Sequence, residues 1–195
     1  MTLALFDFDG TITKTDSLLH FTRFAVGNKR YNLGITWLSP VLLLNKLGIL
    51  PSQLTKNIFL CYFFKNMPVV NFELLCRQYA SVIISTIIHN SAIEKIKWHK
   101  QLGHRVIVVS ASPEAYVDKW CKLMGIECIA TRLQKKDGLI TGKIEGANCN
   151  GAEKASRLKR FLHIDDYIKI IGYGNSAGDK QMLALCTETF FKPFG

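Results

Sequence analysis

The sequence has no Cys-x-x-Cys pair and no metal-finger spacing; its six cysteines are scattered from Cys61 to Cys186, and its five histidines form no ligand set with them. That argues against a zinc scaffold, and in a chain of this length scattered cysteines read as small buried hydrophobes rather than disulfides. The segment before Asp7 holds no signal-peptide core and no basic residue, so a reducing cytoplasm is the expected compartment. A membrane span needs about 20 continuous apolar residues. The nearest approach is residues 31–55, with Lys46 as the only charge, but Gly34, Pro40, Gly48 and Pro51 interrupt it. Buried helices, with room for a peripheral membrane contact, are the expectation there. Internal repeats and low-complexity tracts are also absent.

The most uneven absence is acid. From Ser17 to Phe72 there is no Asp or Glu, while Arg23, Lys29, Arg30, Lys46, Lys56 and Lys65 all fall in that stretch. Solvated helix faces normally mix both signs, so this segment is expected to face an anion. It supplies six of the ten charges in a net +10 that comes from 25 Lys+Arg against 15 Asp+Glu. Such a surplus fits nucleic acid, an anionic membrane or a phosphorylated small substrate. No nucleic-acid recognition motif accompanies it, and no nucleic-acid partner is expected.

What is present describes a folded chain. Hydrophobic residues make up 48% of 195, which excludes disorder as the main state and allows one generous domain or a core with one insertion. Short apolar runs at 2–8 and 105–110, with weaker ones at 127–130, 167–172 and 189–191, read as strands. Amphipathic patterns at 92–101, 114–123, 152–162 and 179–185 read as the helices between them. Alternation of this kind predicts an α/β fold with a Rossmann-like parallel sheet. Asp137-Gly138 between alternating segments predicts a β-hairpin over 131–144. Residues 15–90 break the alternation: helical stretches near 16–26, 30–47, 51–65 and 69–89, with Pro51 and Pro68 as first helical residues, predict an all-helical cap. The core is then residues 1–14 and 91–195.

Four polar signals follow predicted strands. Asp7 and Asp9 in Asp7-Phe8-Asp9-Gly10-Thr11 stand two apart and so aim at one spot from a strand end. Ser110 closes a strand, Lys154 opens a helix, and Gly174-Asn175-Ser176-Ala177-Gly178-Asp179 follows another strand. Ligands of open α/β sheets bind beyond the carboxyl ends of the strands, where one crevice could collect all four. The chemistry they fit is phosphoryl transfer, with one carboxylate as nucleophile and the other as general acid and base. Two carboxylates beside a phosphate dianion call for a lysine and a divalent cation, and oxygen ligands favour Mg²⁺.

These motifs, in this order and over nearly the whole chain, resemble the haloacid dehalogenase-like hydrolases, and the helical insertion after the first motif resembles their phosphoserine-phosphatase-like branch, subfamily IB. The resemblance implies a Mg²⁺-dependent phosphomonoester hydrolase. In it Asp7 would be the nucleophile and a metal ligand, and Asp9 the acid/base, also lending its carbonyl to the metal. Thr11, Ser110 and Lys154 would bind phosphate, and Asn175 and Asp179 would complete the metal site. Asn175 departs from the family pattern, which has an acid there. Asp16 falls where phosphoserine phosphatases carry a longer substrate-recognising acid, so serine specificity does not carry over. The substrate is expected to be a small phosphorylated metabolite or a phospholipid headgroup phosphate, the second suggested by the oily, acid-free cap. The rival is a receiver-like signalling module, which also joins carboxylates, a Ser/Thr and a Lys around an aspartyl-phosphate. It has no use for Asp9 and usually lacks such an insertion. The Gly172-x-Gly174-x-x-Ala177 spacing also fits a dinucleotide fingerprint, but too little chain follows for the βαβ unit that reading needs.

Overall fold

In the computed structural model, which describes residues 1–194, five parallel strands form one sheet in the order β3-β2-β1-β6-β7. They are β1 (Thr2–Phe6), β2 (Arg105–Pro113), β3 (Glu127–Thr131), β6 (Lys169–Gly174) and β7 (Glu188–Phe191). The α/β class and parallel sheet expected from the alternation are present. β1 lies at the centre, paired with β2 on one side and β6 on the other.

Being covered on both faces, the central strands are almost continuously apolar. Leu3 and Leu5 of β1 join Ile107, Val109 and Ile170 in a core under α7 (Ala152–Phe161) and α8 (Lys180–Leu183). The alternate residues Ala4 and Phe6 join Val106, Val108 and Tyr173 on the opposite face, with α5 (Asn90–Gln101) and α6 (Glu114–Met124). The period of two along one strand thus feeds two separate cores.

Between β1 and α5 lies the helical insertion: α1 (Ser17–Val26), α2 (Asn28–Lys46), α3 (Ser52–Phe64) and α4 (Val69–Gln78). Phe21, Phe64, Phe72 and Tyr79 pack edge-on or stacked on one another, and this cluster is continuous with the upper face of the sheet. Gly34 lets α2 close on α3, since a Cβ there would stand 2.4 Å from Phe63 Cζ. α2 runs through Pro40 without ending. Proline deprives the carbonyl four residues back of its donor, and the Ser39 hydroxyl donates to that Thr36 carbonyl instead, at 2.8 Å.

Three boundaries differ from expectation. The stretch 69–89 is not one α-helix: after α4 the chain widens into a π-helical turn (Tyr79–Ile83) and then tightens into a 3₁₀ turn (Ile84–Ile87). Its β-branched residues are poor helix formers, and burying Tyr79, Ala80, Ile84 and Ile87 together decides the path. Pro51 and Pro68 stand one residue before their helices, with extended ψ of 137° and 134°. The hairpin, β4 (Leu133–Lys136) and β5 (Leu139–Ile144), is a sheet of its own. It is tied to the insertion: Asn66 N–H donates to the Ile140 carbonyl and Val69 N–H to the Gly138 carbonyl. Gly142 approaches so closely that a Cβ would stand 2.5 Å from Cys61 Cα.

Candidate active site

β1 ends at Phe6, and the next residues form a tight turn in which Thr11, Ile12 and Thr13 N–H groups all donate to the Phe8 carbonyl. This turn presents Asp7 and Asp9 beyond the strand. Asp7 is buried and its N–H donates to the Tyr173 carbonyl of β6 at 2.8 Å, which fixes it against the neighbouring strand. Lys154, in the first turn of α7, donates to Asp7 Oδ1 at 2.5 Å and to Asp179 Oδ1 at 2.6 Å. Thr11 Oγ1 donates to Asp7 Oδ2 at 3.2 Å.

The loop after β6 is organised by Asp179. Its Oδ2 accepts from Asn175 N–H (3.1 Å), Ser176 N–H (2.9 Å) and Ser176 Oγ (2.8 Å). Both oxygens of Asp179 are therefore engaged. Asn175 differs: its Oδ1 is buried and has no partner. A buried oxygen without a donor is costly, and an oxygen-seeking cation would relieve it. The Asn175 amide also fills the space beside Gly10, where a Cβ would lie 2.0 Å from Nδ2, so Gly10 is required for that approach as well as for its φ of 75°. Asp7, the Asp9 carbonyl and Asn175 Oδ1 offer oxygen donors only, the chemistry that Mg²⁺ takes. With an amide in place of an acid, no group of three His, Cys, Asp or Glu suited to a metal occurs among the described residues.

The electrostatics follow from this burial. Removal from water pushes Asp7 up to about 7; Lys154 pulls the other way, and Asp179 and Asp9 add to the rise. Burial also opposes ionisation of Asp179, yet Lys154 and the Ser176 donors hold it below its ordinary value. Burial disfavours the Lys154 ammonium, but its two carboxylate partners hold it well above its usual range. One ammonium between two carboxylates leaves the cluster short of positive charge, again the situation a divalent cation would correct.

Asp9 sits apart from this cluster. Its Oδ1 accepts from Ser17 N–H at 2.7 Å and its Oδ2 from Ser112 Oγ at 2.6 Å. Ser17 Oγ donates to Ser112 Oγ at 3.0 Å and lies 2.9 Å from Tyr116 Oη. With the serine proton committed to Ser112, the tyrosine must be the donor, so the hydroxyls form a directed chain Tyr116 → Ser17 → Ser112 → Asp9. Tyr79 Oη donates to the Ser17 carbonyl. Ser110 is fully buried on β2, where its Oγ accepts from Ser112 N–H at 2.9 Å and keeps its own proton for another acceptor.

Asp9 also lines a pocket of about 240 Å³ between core and insertion. Asp16, Thr55, Lys56, Phe59 and Asn148 share its wall. Asp16 caps α1, accepting from Leu19 N–H at 2.9 Å. Lys56 reaches the Ala111 carbonyl at 2.5 Å and Asn148 Oδ1 at 3.3 Å; burial lowers its ammonium against the pull of Asp9 and Asp16. Thr55 Oγ1 is buried without a partner. A larger cleft of about 760 Å³ opens at the other end of β2, beside His104 and Arg105, and holds none of these groups.

The structure thus joins Asp7, Thr11, Lys154 and Asp179 by direct bonds, sets Asn175 beside Gly10, and places Asp9 and Asp16 on one pocket. Ser112, Ser17 and Tyr116 are additions to the sequence reading, and Lys56 is the cation of the acid-free segment that reaches this pocket's wall. Ser112 had a signal: it stands two residues beyond Ser110 in an extended segment and so shares its face. Tyr116 had none, because it reaches Asp9 only through the hydroxyls of Ser17 and Ser112; Lys56 had only its membership of the acid-free basic segment.

Protein CicA of Caulobacter vibrioides is 30% identical over 194 residues, covering 98% of this chain and 86% of that protein. The phosphoserine phosphatase of Methanocaldococcus jannaschii is 26% identical over 200 residues, 97% of this chain and 88% of the relative. A Bordetella pertussis protein of unknown function has the same fold, with a TM-score of 0.83, 21% identity, and coverage of 96% of this chain and 88% of that one. The family model described as haloacid dehalogenase-like hydrolase matches residues 4–184, which contain every residue of the site built above, and the chain belongs to that family.

Proposed function

We propose that this phosphatase hydrolyses phosphomonoesters in two steps through an aspartyl-phosphate on Asp7. The observation that carries the reading is the buried Asp7–Lys154–Asp179 cluster at the sheet's carboxyl end, with Asp9 two residues away on a pocket of leaving-group size. An Asp7 oxygen bonds to phosphorus as the ester P–O bond breaks, and Asp9 gives its proton to the departing oxygen. Asp9, now a carboxylate, takes a proton from water as the water oxygen bonds to phosphorus. The Asp7–phosphorus bond breaks and inorganic phosphate leaves.

Lys154, Ser110 and Thr11 donate to the phosphoryl oxygens, Lys154 exchanging a carboxylate contact for a phosphate one. Asp7, the Asp9 carbonyl and Asn175 Oδ1 would hold Mg²⁺, with Asp179 setting the loop and Lys154 behind them. When bound, the ion supplies the positive charge that keeps Asp7 ionised and draws density from the phosphoryl oxygens. Residues 1–14 and 91–195 act as the core and residues 15–90 as a cap that opens for substrate and closes over the reaction. Ser17, the first residue of α1, contacts Asp9 directly, so closure and the acid/base are linked.

The pocket admits a small leaving group. Asp16 and Lys56 give it polar ends, and Leu18, Leu42 and Phe59 an apolar wall. That mixture supports a phosphorylated metabolite or the headgroup phosphate of a phospholipid, met in the cytoplasm or with the cap against a membrane. The resemblance to phosphatases throughout does not favour a receiver-like module. The test is Mg²⁺-dependent release of p-nitrophenol from its phosphate, followed by a panel of phosphometabolites beside phospholipid phosphates in mixed micelles. A long-lived phosphoprotein without turnover would sink the hydrolase mechanism; turnover of soluble compounds alone would remove the lipid.

A further inference from the structure

One face of α2 points apolar side chains at solvent. Leu33, Trp37, Pro40, Leu44 and Leu47 recur at intervals of four and three residues, which places them along one side of a helix. All are exposed, Trp37 at 71% and Leu47 at 64%. Ile49 and Leu54, 66% and 46% exposed, extend the stripe across the turn into α3. The helix needs none of them for its own seat, which is made by Gly34 and Leu38. A contiguous apolar surface of this kind marks an interaction site.

Its charges say what covers it. Lys29 lies in the first turn of α2, four residues before Leu33, and Lys46 ends the helix, both exposed, and no acid lies between Ser17 and Phe72. A second copy laid on the same face would bring cations together without a carboxylate from this segment to pair them. Anionic headgroups would pair them. The same helix walls the catalytic pocket with its inner face, where Leu42 and Asn45 of α2 stand beside Ser52 of α3. No helix among the described residues is long and apolar enough to cross a bilayer, so the contact is interfacial.

We propose that the α2–α3 edge docks on an anionic bilayer, with the Leu33–Leu47 stripe entering the headgroup boundary and Lys29 and Lys46 holding anionic lipid phosphates. Trp37 suits that boundary, where amphipathic rings collect. Docking brings the helix that walls the pocket to the membrane surface, where a lipid phosphate would be met, a consequence that rests on the phosphatase reading; the docking itself is tested without turnover.

Flotation with vesicles of phosphatidylcholine alone, and of phosphatidylcholine with phosphatidylglycerol, is the experiment. Binding to the anionic vesicles should be about tenfold tighter or more and should weaken in high salt. The triple variant Trp37→Ser, Leu44→Ser, Leu47→Ser should lose about tenfold or more of that binding, with hydrolysis of p-nitrophenyl phosphate in free solution within about twofold of wild type. The pair Lys29→Gln, Lys46→Gln should erase the preference for phosphatidylglycerol. Equal binding to both vesicles, no binding, or unchanged binding by the triple variant would overturn the proposal. So would a wild-type dimer that the triple variant turns into a monomer, because the stripe would then be covered by a second copy. Vesicle binding without any turnover would support the docking and refute the phosphatase reading instead.

Discussion

The carboxyl end of the sheet and the outer face of α2 break the same rule in opposite directions. At the first, Asp7, Lys154 and Asp179 are buried charges, and each is paired within 2.6 Å. At the second, large apolar groups stand in water with nothing against them. Burying charge costs several kcal/mol per ion unless partners recover it, and exposing leucine and tryptophan forgoes about 25 cal/mol per Å² of apolar surface. A fold selected for stability alone would have neither. Departures from local consistency concentrate where function is carried; the first here adjoins Asp9, and the second lies on the helix whose inner face walls the Asp9 pocket.

The largest effect should come from breaking the buried cluster at its centre. Asp7→Asn keeps the shape and removes the nucleophile, so turnover of p-nitrophenyl phosphate should fall by about 10⁴-fold or more. No phosphoprotein should be trapped on rapid acid quench. Retained activity would refute the assignment of Asp7.

Asp9→Asn should cost about 10²- to 10⁴-fold, and unevenly. An alkyl phosphate, whose leaving oxygen needs a proton, should lose far more than p-nitrophenyl phosphate in the first step, so the dependence of rate on leaving-group pKa should steepen. Equal losses on both substrates would show that Asp9 does not donate the proton.

Ser112→Ala removes the hydroxyl that holds Asp9 Oδ2 at 2.6 Å. A hydrogen bond to a charged group contributes about 1.5–3 kcal/mol, so kcat should fall by about tenfold or more with KM little changed, and Ser112→Thr should restore most of it. A change in KM alone would make Ser112 a pocket residue rather than a positioning one.

What could be read from the sequence and what could not divides along the same line. The sheet and the Asp7, Ser110, Lys154 and Asp179 positions follow from local signals: apolar runs with polar groups at their ends and glycine-rich turns after them. The π- and 3₁₀-turns after Gln78 do not, because burial of Tyr79, Ile84 and Ile87 overrides a pattern that otherwise reads as helix. Tyr116 and Lys56 lie far along the chain from Asp9, and only the folded packing of α6 and α3 around it relates them to it. The hairpin was visible, but its attachment to residues 61–69 rests on backbone hydrogen bonds that carry no sequence signature. The lack of acid in the helical insertion is plain in composition; that its apolar residues form an outward stripe needs the helix's orientation.

Away from both regions, His99 reports on the core beneath β6. It is fully buried, with Nε2 2.9 Å from Tyr173 Oη and Nδ1 2.8 Å from His104 Nδ1. Burial first, and the neighbouring His104 and Lys95 second, lower it from the ordinary 6.5 to about 4. The unfolded chain therefore binds the proton more readily than the folded one. Stability from this group is complete above pH about 6.5 and is lost as pH falls toward about 4, by on the order of 2–3 kcal/mol. Urea unfolding at pH 7.5 and pH 5 should show the loss, and His99→Gln should flatten it.

The smallest effect should be found on the α2 stripe. Phe63 is almost wholly buried beneath α2, and truncating it to alanine should destabilise the protein by about 3–5 kcal/mol. Trp37 and Leu47, one to four turns along the same helix pair, should each tolerate serine within about 0.5 kcal/mol, since surface changes away from special contacts do little. Equilibrium unfolding of Trp37→Ser and Leu47→Ser in the absence of lipid measures this directly. A loss above about 1 kcal/mol for either would mean that the side chain already has a partner within the fold. The contrast between paired buried charge and unpartnered exposed apolar surface would then fail at the α2 end. Near-zero values would leave the stripe with no structural reason to be apolar, and would put its explanation in whatever the protein meets at that face.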